Sequence, residues 1–429
     1  MGDKAEGTKV RLGWAMVLII GAAQFGAYAD RALTAAFAAD LQAAFTLNDA
    51  ELGMLHGTAV IIPYAAGMIG ASLCLRAVRP FLVMGLSVLA WSLAAAGFAL
   101  ATSYGELLVA RMMLGFTQAA FAPAALSILA LSSHPRPPVA ISAMTTGSAT
   151  GRSGGLLIGG ALLLFAVSLE AVALEPWRVA SLAMVAPNVL LALVLLGKSR
   201  LRVPFNAVAS GRLVPTLRGL ARAPVVHASY FVVAAAAIVI VQAGGAWAPT
   251  VLYRDFGLDV AESAMAVGLI VLVAAPLGHL SAGWLSARRP EDQRWPHAPI
   301  LVGLGTTLAA AIALAAASSL AGAALALAAF CAGGGFAAAA ALIGLQPMFP
   351  AEQRFTANTL FLSSVTLVGY GVGPLLTGLL SDRLGHDELR LALLLVTAGA
   401  LIVAALAGLI GRQSLRSGRT DRVSACSGG

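Results

Sequence analysis

The sequence is built on about twelve apolar runs, each near 20 residues long, parted by short polar gaps. A helix of about 20 apolar residues crosses a ~30 Å hydrocarbon core, so such runs read as membrane spans. They predict helices at 12–38, 51–75, 81–101, 106–132, 138–168, 177–197, 224–252, 261–286, 298–318, 321–348, 355–381 and 389–411. The runs are solidly apolar and do not alternate, which argues against a membrane β-barrel. Charged residues make up 11% of the 429-residue chain, against about 25% in soluble proteins. That is too little charge to solvate a globular surface, so a soluble enzyme, a nucleic-acid module and a disordered chain are excluded. The expected fold is an all-α integral membrane protein with twelve transmembrane helices in two six-helix halves. The first run has no suitably placed small-residue cleavage site and reads as a retained helix.

The longest interior gap carries Lys198, Arg200, Arg202, Arg212, Arg218 and Arg222 and no acid. It divides the chain into an N-terminal tail at 1–11, a six-helix bundle at 12–197, a basic loop at 198–223, a second bundle at 224–411 and a tail at 412–429. With both termini and the basic loop cytoplasmic, only Arg178, Arg254, Arg383 and Arg390 lie outside. Arg31, Arg111 and Arg152 fall within helices, and the other 20 of the 27 Lys+Arg are cytoplasmic. The positive-inside rule favours this orientation over its inverse. The net charge of +8 follows from it, and the short basic loops can meet anionic lipid head groups without any nucleic acid. The Ala-rich composition and short loops point to a bacterial inner membrane.

Of the 19 acids only Asp30 lies deep in a predicted helix, whereas three bases do: Arg31, Arg111 and Arg152. A charge at the bilayer centre costs roughly 2.5–3.5 kcal/mol on insertion scales, so each should face a cavity or a partner. If all four face one cavity and Asp30 neutralises one arginine, two positive charges remain. That surplus favours an anionic substrate, a carboxylate or phosphate held by a guanidinium fork. Arg111 and Gln118 share a helix face about 10 Å apart, with Gly115 between them expected to leave open space. Gln24, Tyr28 and Arg31 form a similar stripe, and Asp30 points about 100° away from Arg31. Asp30 is either half of a static ion pair that locks two helices or a group protonated in one state of a cycle.

The second half offers only uncharged candidates in its helices: Gln242, Trp247, Gln346, Ser363, Ser364, Thr366 and Tyr370. The asymmetry points to a head group held by the first half and an apolar remainder against the second. His56 and His279 fall near helix ends, within reach of water. Gly147, Gly151, Gly155 and Gly159 recur every four residues and allow close helix approach. Gly333 to Gly335, and Gly369, Gly371, Gly373 and Pro374, are bend points. Cys74, Cys331 and Cys426 are too scattered for a metal site or a disulfide framework. No Gly-rich loop ending in Lys-Ser/Thr is present, so ATP is not the driver. Neither an enzyme signature nor a cofactor is expected.

The halves echo each other. Gly70-Ala-Ser-Leu-Cys74 with Arg76 and Arg79 is matched by Gly283-Trp-Leu-Ser-Ala287 with Arg288 and Arg289, an offset of 213 residues. Such a repeat marks secondary transporters, whose substrate path lies at the repeat interface. A six-plus-six repeat with a basic central loop resembles the major facilitator superfamily. Within it, Tyr28-Ala-Asp30-Arg31, Phe45-Thr-Leu-Asn-Asp49-Ala-Glu-Leu-Gly53, Ala110-Arg111 to Gly115 and Gln118, Trp247-Ala-Pro249, Tyr253-Arg254-Asp255-Phe256-Gly257, and Gly373-Pro374 to Ser381-Asp382 resemble the Spinster-like family.

That resemblance implies a carrier for an amphipathic or small organic anion that works as a monomer. It also implies proton coupling through Asp30 and a path lined by the first and fourth helices. The glycine strip of helix 5 is then expected to pack against helix 8. Animal members are associated with proton-linked export of lysophospholipids and sphingosine phosphates. The chain departs from the family at Gln118, where an acid is usual, and at Cys74, Leu75 and Ala287, where gate charges are usual. Arg152 is a further departure, since a small or apolar residue is usual there. An exporter of neutral or cationic compounds, and a non-transporting sensor on the same fold, are the alternatives.

Overall fold

The structure, a computed structural model, describes residues 10–74, 77–129, 132–134, 137–169, 174–200, 203–204, 213–288, 295–350, 353–385 and 388–427. The first span comprises α1 (Trp14–Ala36) and α2 (Ala38–Phe45). The second comprises α3 (Asp49–Gly53), a π-helical turn (Met54–Thr58) and α4 (Ala59–Cys74). Then come α5 (Pro80–Leu100), α6 (Tyr104–Gln118) with α7 (Phe121–Leu129), α8 (Pro137–Ser168) and α9 (Pro176–Leu196). A short α10 (Leu213–Arg222) precedes α11 (Pro224–Phe256), α12 (Val260–Arg288), α13 (His297–Ala315), α14 (Leu320–Leu345), α15 (Arg354–Leu384) and α16 (Leu389–Ser427). Ten of these stretches are long and apolar enough to cross a membrane by length and composition.

Local chemistry explains the starts, stops and breaks. Pro80, Pro176 and Pro224 open their helices, where the missing N–H costs nothing. Ser103 and Ser319 cap theirs through side-chain oxygens. Gly257, at φ 69°, closes α11 in the left-handed region that a side chain resists. Pro123 has no N–H for the carbonyl of Ala119, and α6 gives way to α7 there. Pro63 stands in the same relation to Ala59, where the π-helical turn ends.

The helices cluster into two compact units. One is Met1–Leu47, Ala59–Val208 and Asp259–Leu269; the other is Asn48–Thr58, Ala209–Leu258 and Ile270–Gly429. In the first unit, Met84, Val88, Trp91, Leu114, Phe121 and Ile128 are fully buried in a core shared by α1, α5, α6 and α7. Here α8 lies along α1. A Cβ at Gly155 would stand 2.6 Å from the main chain of Ala29, and Gly147, Gly151 and Gly159 meet Gly21, Phe25 and Leu33 in turn. The four-residue spacing keeps all four glycines on one face, and that face packs on the first span and not on the eighth. The start of α12 meets another face of α8, at Gly160 and through Gly268.

In the second unit, the segment 48–58 lies on α15. Main chain approaches main chain at Gly53, Gly57 and Gly378, and Thr58 donates to the Gly371 carbonyl at 2.7 Å. Both units thus seat the opening turns of one helix on glycines of another: Gly378 faces the Asp49 carbonyl, and Gly160 faces that of Ala261.

Several expectations are corrected. The basic stretch 198–223 contains α10, and α16 runs past residue 411 to Ser427. Short ladders pair Val10–Arg11 with Ser132–His134, and Ala77–Val78 with Val203–Pro204. A Cβ at Gly70 or Gly283 would meet nothing within 4 Å, so neither glycine is required by packing here. Arg76, Leu75, Arg202, Arg212, Arg289 and the side chains of Cys74 and Cys426 lie outside the described residues.

Candidate functional site

Three faces of α1 converge on one buried polar cluster in the first unit. The face with Ala27 and Arg31 meets α6: Arg31 Nε donates to Gln118 Oε1 at 2.7 Å, and Gln118 Nε2 donates to the Ala27 carbonyl at 3.2 Å. The face with Gly26 and Asp30 meets α9: Asn188 Nδ2 donates to Asp30 Oδ2 at 2.9 Å, and the missing side chain of Gly26 makes room for the Asn188 amide. The third face meets α8, where Gln24 Nε2 donates to Ser148 Oγ at 2.9 Å. Arg111 reaches across from α6 and donates to the main-chain carbonyls of Asp30 at 3.2 Å and Arg31 at 3.1 Å.

Asp30, Arg111 and Gln118 are each 2% exposed and Arg31 is 9% exposed. The Arg31 guanidinium lies between the rings of Tyr28 at 5.0 Å and Tyr64 at 4.7 Å; that of Arg111 lies over Phe98 at 5.6 Å. These rings supply π faces to cations held out of water. Among the described residues of this unit, Asp30, Arg31 and Arg111 are the buried Asp, Glu, Lys and Arg side chains. One carboxylate stands with two guanidiniums, and Asp30 Oδ1 has no hydrogen-bond partner. The arrangement can hold an anion against arginine, or exchange a proton at Asp30.

The cluster brings together Asp30, Arg31, Arg111, Gln118 and Tyr28. Gln24 sits about two turns away on α1, bonded to Ser148 of α8. Arg152 is half-buried on α8, next to Gly151, which packs on Phe25 and Tyr28. The space expected beside Gly115 is filled by the main chain of Val60. Sequence reasoning missed Asn188 and Tyr64. Each follows a proline within an apolar run, and a polar side chain at mid-span is the signal that finds them.

A second cluster lies in the second unit, on the face of the loops that follow odd-numbered spans. Asp49, fully buried, takes a bidentate pair from Arg254, with Nη1 at 2.9 Å and Nη2 at 2.5 Å. Ser381 Oγ donates to it at 2.6 Å. Asp382 accepts the main-chain N–H of Asp49 at 2.9 Å and of Ala50 at 2.8 Å, and so caps α3 from another helix. Asn48 and Glu51 add a capping box within α3 itself. Arg390 pairs with Asp255 at 3.2 Å.

The remaining candidates of this unit serve separate contacts. Trp247 is 0% exposed; its Nε1 donates to the Pro374 carbonyl at 2.9 Å, and His56 packs edge-on at 5.4 Å. His56 is therefore buried, contrary to the expectation that water reaches it, because the π-helical turn faces α11 and α15. Gln346 donates to the Leu342 carbonyl and to Asn358 Oδ1, both at 2.9 Å. Gln242 is buried on α11 and Tyr370 half-buried on α15. Gly373 packs on the Val239 carbonyl.

On the odd-loop face of the first unit, Asp40 projects from α2. It stands beside the Glu175 carboxylate. Arg178 holds Glu175 at 2.7 Å and donates to the carbonyls of Ala99 and Ala101 at 2.8 and 2.6 Å. No group of three or more His, Cys, Asp or Glu able to hold a metal occurs among the described residues.

The profile of the Major Facilitator Superfamily matches residues 20–348, and the chain belongs to that family. It is a secondary transporter in a membrane, not an enzyme, and its fold is the twelve-span facilitator fold, with the interrupted first and second spans completing the ten long ones. An MFS-type efflux pump of Mycolicibacterium smegmatis is 29% identical over 416 residues, covering 94% of each chain. A crystal structure of a bacterial homologue of the human lysosomal transporter Spinster, inward-facing and unoccupied, superposes with a TM-score of 0.78 at 22% identity. It covers 94% of this chain and 97% of that one. The occupied form of that homologue gives 0.73 at 20% identity, covering 94% and 96%.

Proposed function

We propose that this transporter carries an organic anion or an anionic amphiphile, with Asp30 as the proton-carrying group. We place it in a bacterial inner membrane, with both termini cytoplasmic, acting as a monomer. The observation that carries the reading is the buried cluster of α1, α6 and α9, which holds two arginines, Arg31 and Arg111, and a single carboxylate, Asp30. Neutral groups, Gln118, Tyr28, Tyr64 and main-chain carbonyls, orient those arginines. An arriving carboxylate or phosphate would offset the net positive charge of the buried side chains and accept a guanidinium fork.

Ligand-induced thermal stabilisation of the detergent-purified protein tests this. Organic carboxylates, phosphates and lysolipids are screened at two pH values, since whatever binds the native state raises its apparent stability. A stabilising anion whose effect is lost in Arg111→Ala and Arg31→Ala supports the reading. Stabilisation by neutral or cationic amphiphiles alone overturns it. That second reading, an exporter of such compounds, is favoured by the relative named as an efflux pump. A cleft of about 480 Å³ between α11, α15 and α16, lined by Phe231, Val239, Val368, Leu376 and Val403, also favours it.

A further inference from the structure

Four buried oxygens of α1, α2 and α9 have no hydrogen-bond partner: Asp30 Oδ1, Thr34 Oγ1, Asp40 Oδ2 and Ser181 Oγ. Thr34 and Ser181 are 0% and 3% exposed. Buried polar groups are nearly always satisfied by protein or by ordered water. A row of unsatisfied ones on facing helices therefore points to water between them.

The placement follows from helix geometry and from contacts at both ends. Gly26, Asp30 and Thr34 are spaced by four and share a stripe of α1. Gly26 and Asp30 on that stripe meet Asn188 of α9. The neighbouring stripe, with Ala29 and Leu33, is closed by α8. On α9 the buried stripe runs Trp177, Ser181, Met184 and Asn188. Its inner end, Asn188, touches Asp30; its outer end, Trp177, packs edge-on against Phe45 of α2 at 6.1 Å. Ser181 lies between these pins. Asp40, beside Glu175 at the head of α9, stands ten residues beyond Asp30, a rise of about 15 Å. That is half of a ~30 Å hydrocarbon core.

We propose that the seam between α1–α2 and α9 holds a file of water that conducts protons between the odd-loop face and Asp30, with Asp40 at its mouth and Thr34 and Ser181 as its wall. The proposal rests on the reading of Asp30 as the proton-carrying group. A proton from bulk water binds at Asp40 or at the first water. Each water passes one proton on and receives one, and a new O–H bond forms at Asp30 Oδ1, leaving a neutral carboxylic acid. The reverse sequence discharges it, and no electron changes hands. The charged groups about the two ends are Arg31 of α1 and Arg111 of α6 near Asp30, and Glu175 and Arg178 near Asp40. Asn188 holds Asp30 Oδ2, and Oδ1 is the oxygen without a partner.

Two measurements on the purified, lipid-reconstituted protein test it. The first is X-ray hydroxyl-radical footprinting, which marks side chains next to internal water. Met184 (6% exposed), on the seam, should oxidise on the order of tenfold faster than Met84 (0% exposed) and Met144 (5% exposed), which both sit in the apolar core. The second is infrared-detected hydrogen–deuterium exchange of the Asp30 carboxyl, its band assigned by Asp30→Asn. Thr34→Val and Ser181→Ala should each slow that exchange about tenfold and protect Met184, with folding checked by the unchanged labelling of Met84. Protection of Met184 equal to that of Met84 in the unmodified protein overturns the water file. Oxidised Met184 with exchange unchanged in both variants overturns its proton-conducting role. Oxidised Met184 with no Asp30 carboxyl band at any pH overturns that role too, and shows that it fell with the proton assignment of Asp30 and not with the water.

Discussion

Arg111 directs both terminal nitrogens at the main chain of α1, to the carbonyls of Asp30 and Arg31. Each carbonyl has a second lone pair beyond its helical bond, so the guanidinium fits without breaking α1. Arg111→Lys keeps the charge but loses the planar fork that sends a separate nitrogen to each carbonyl, and it is expected to lose most of the anion-induced rise in melting temperature that the unmodified protein shows. Asp49 makes the complementary case. Asp49→Ala strands the Arg254 guanidinium beside a buried site and should cost about 3–5 kcal/mol, measured by denaturant unfolding in detergent. The charged members of the site were legible in the sequence, because a charge in an apolar run demands an explanation. Their partners were not. Asn188 is 158 residues from Asp30 and Arg254 is 205 from Asp49, and no spacing rule links positions joined only by the fold.

At the scale of helices, glycine decides how close two backbones come, and the structure separates glycines that matter from those that do not. At Gly155 a Cβ would meet main-chain atoms of Ala29, which cannot rotate away. Gly155→Leu should therefore lower the melting temperature by more than about 5 °C, or abolish folded expression, whereas Gly70→Ala, with open space around it, should leave the melt unchanged. Fluorescence-detected size-exclusion after graded heating reads both. The four-residue repeat in helix 5 was visible in the sequence, since periodicity is a local property. Its partner was not visible, because a smooth strip fits any helix equally well, and α1 was distinguished only once tertiary contacts were known. Interruptions in the first, second and fourth spans escaped for a related reason: hydropathy stays high across them while the hydrogen-bond ladder changes at Phe37, at Met54–Thr58 and at Ala119.

For the molecule as a whole, the apolar runs gave away the number of spans, since hydropathy is read from sequence alone. The charge distribution makes a prediction of orientation. In a chain whose native cysteines are replaced, Glu388→Cys should react with a membrane-impermeant maleimide in intact cells. Arg419→Cys should react only after permeabilisation. The reverse pattern would invert the topology. What local reading could not supply is the regrouping of the units, in which residues 48–58 join the second half and 259–269 join the first. The cap that Asp382 places on α3 bears on how such a grouping leaves a trace in evolution. Asp382 grips the amide hydrogens of Asp49 and Ala50, which nearly every amino acid offers. At position 50 a homologue can carry almost any side chain with no compensating change at 382. Statistical covariation between aligned positions will therefore be blind to the Ala50 contact, and only proline, which lacks the amide hydrogen, should be depleted there.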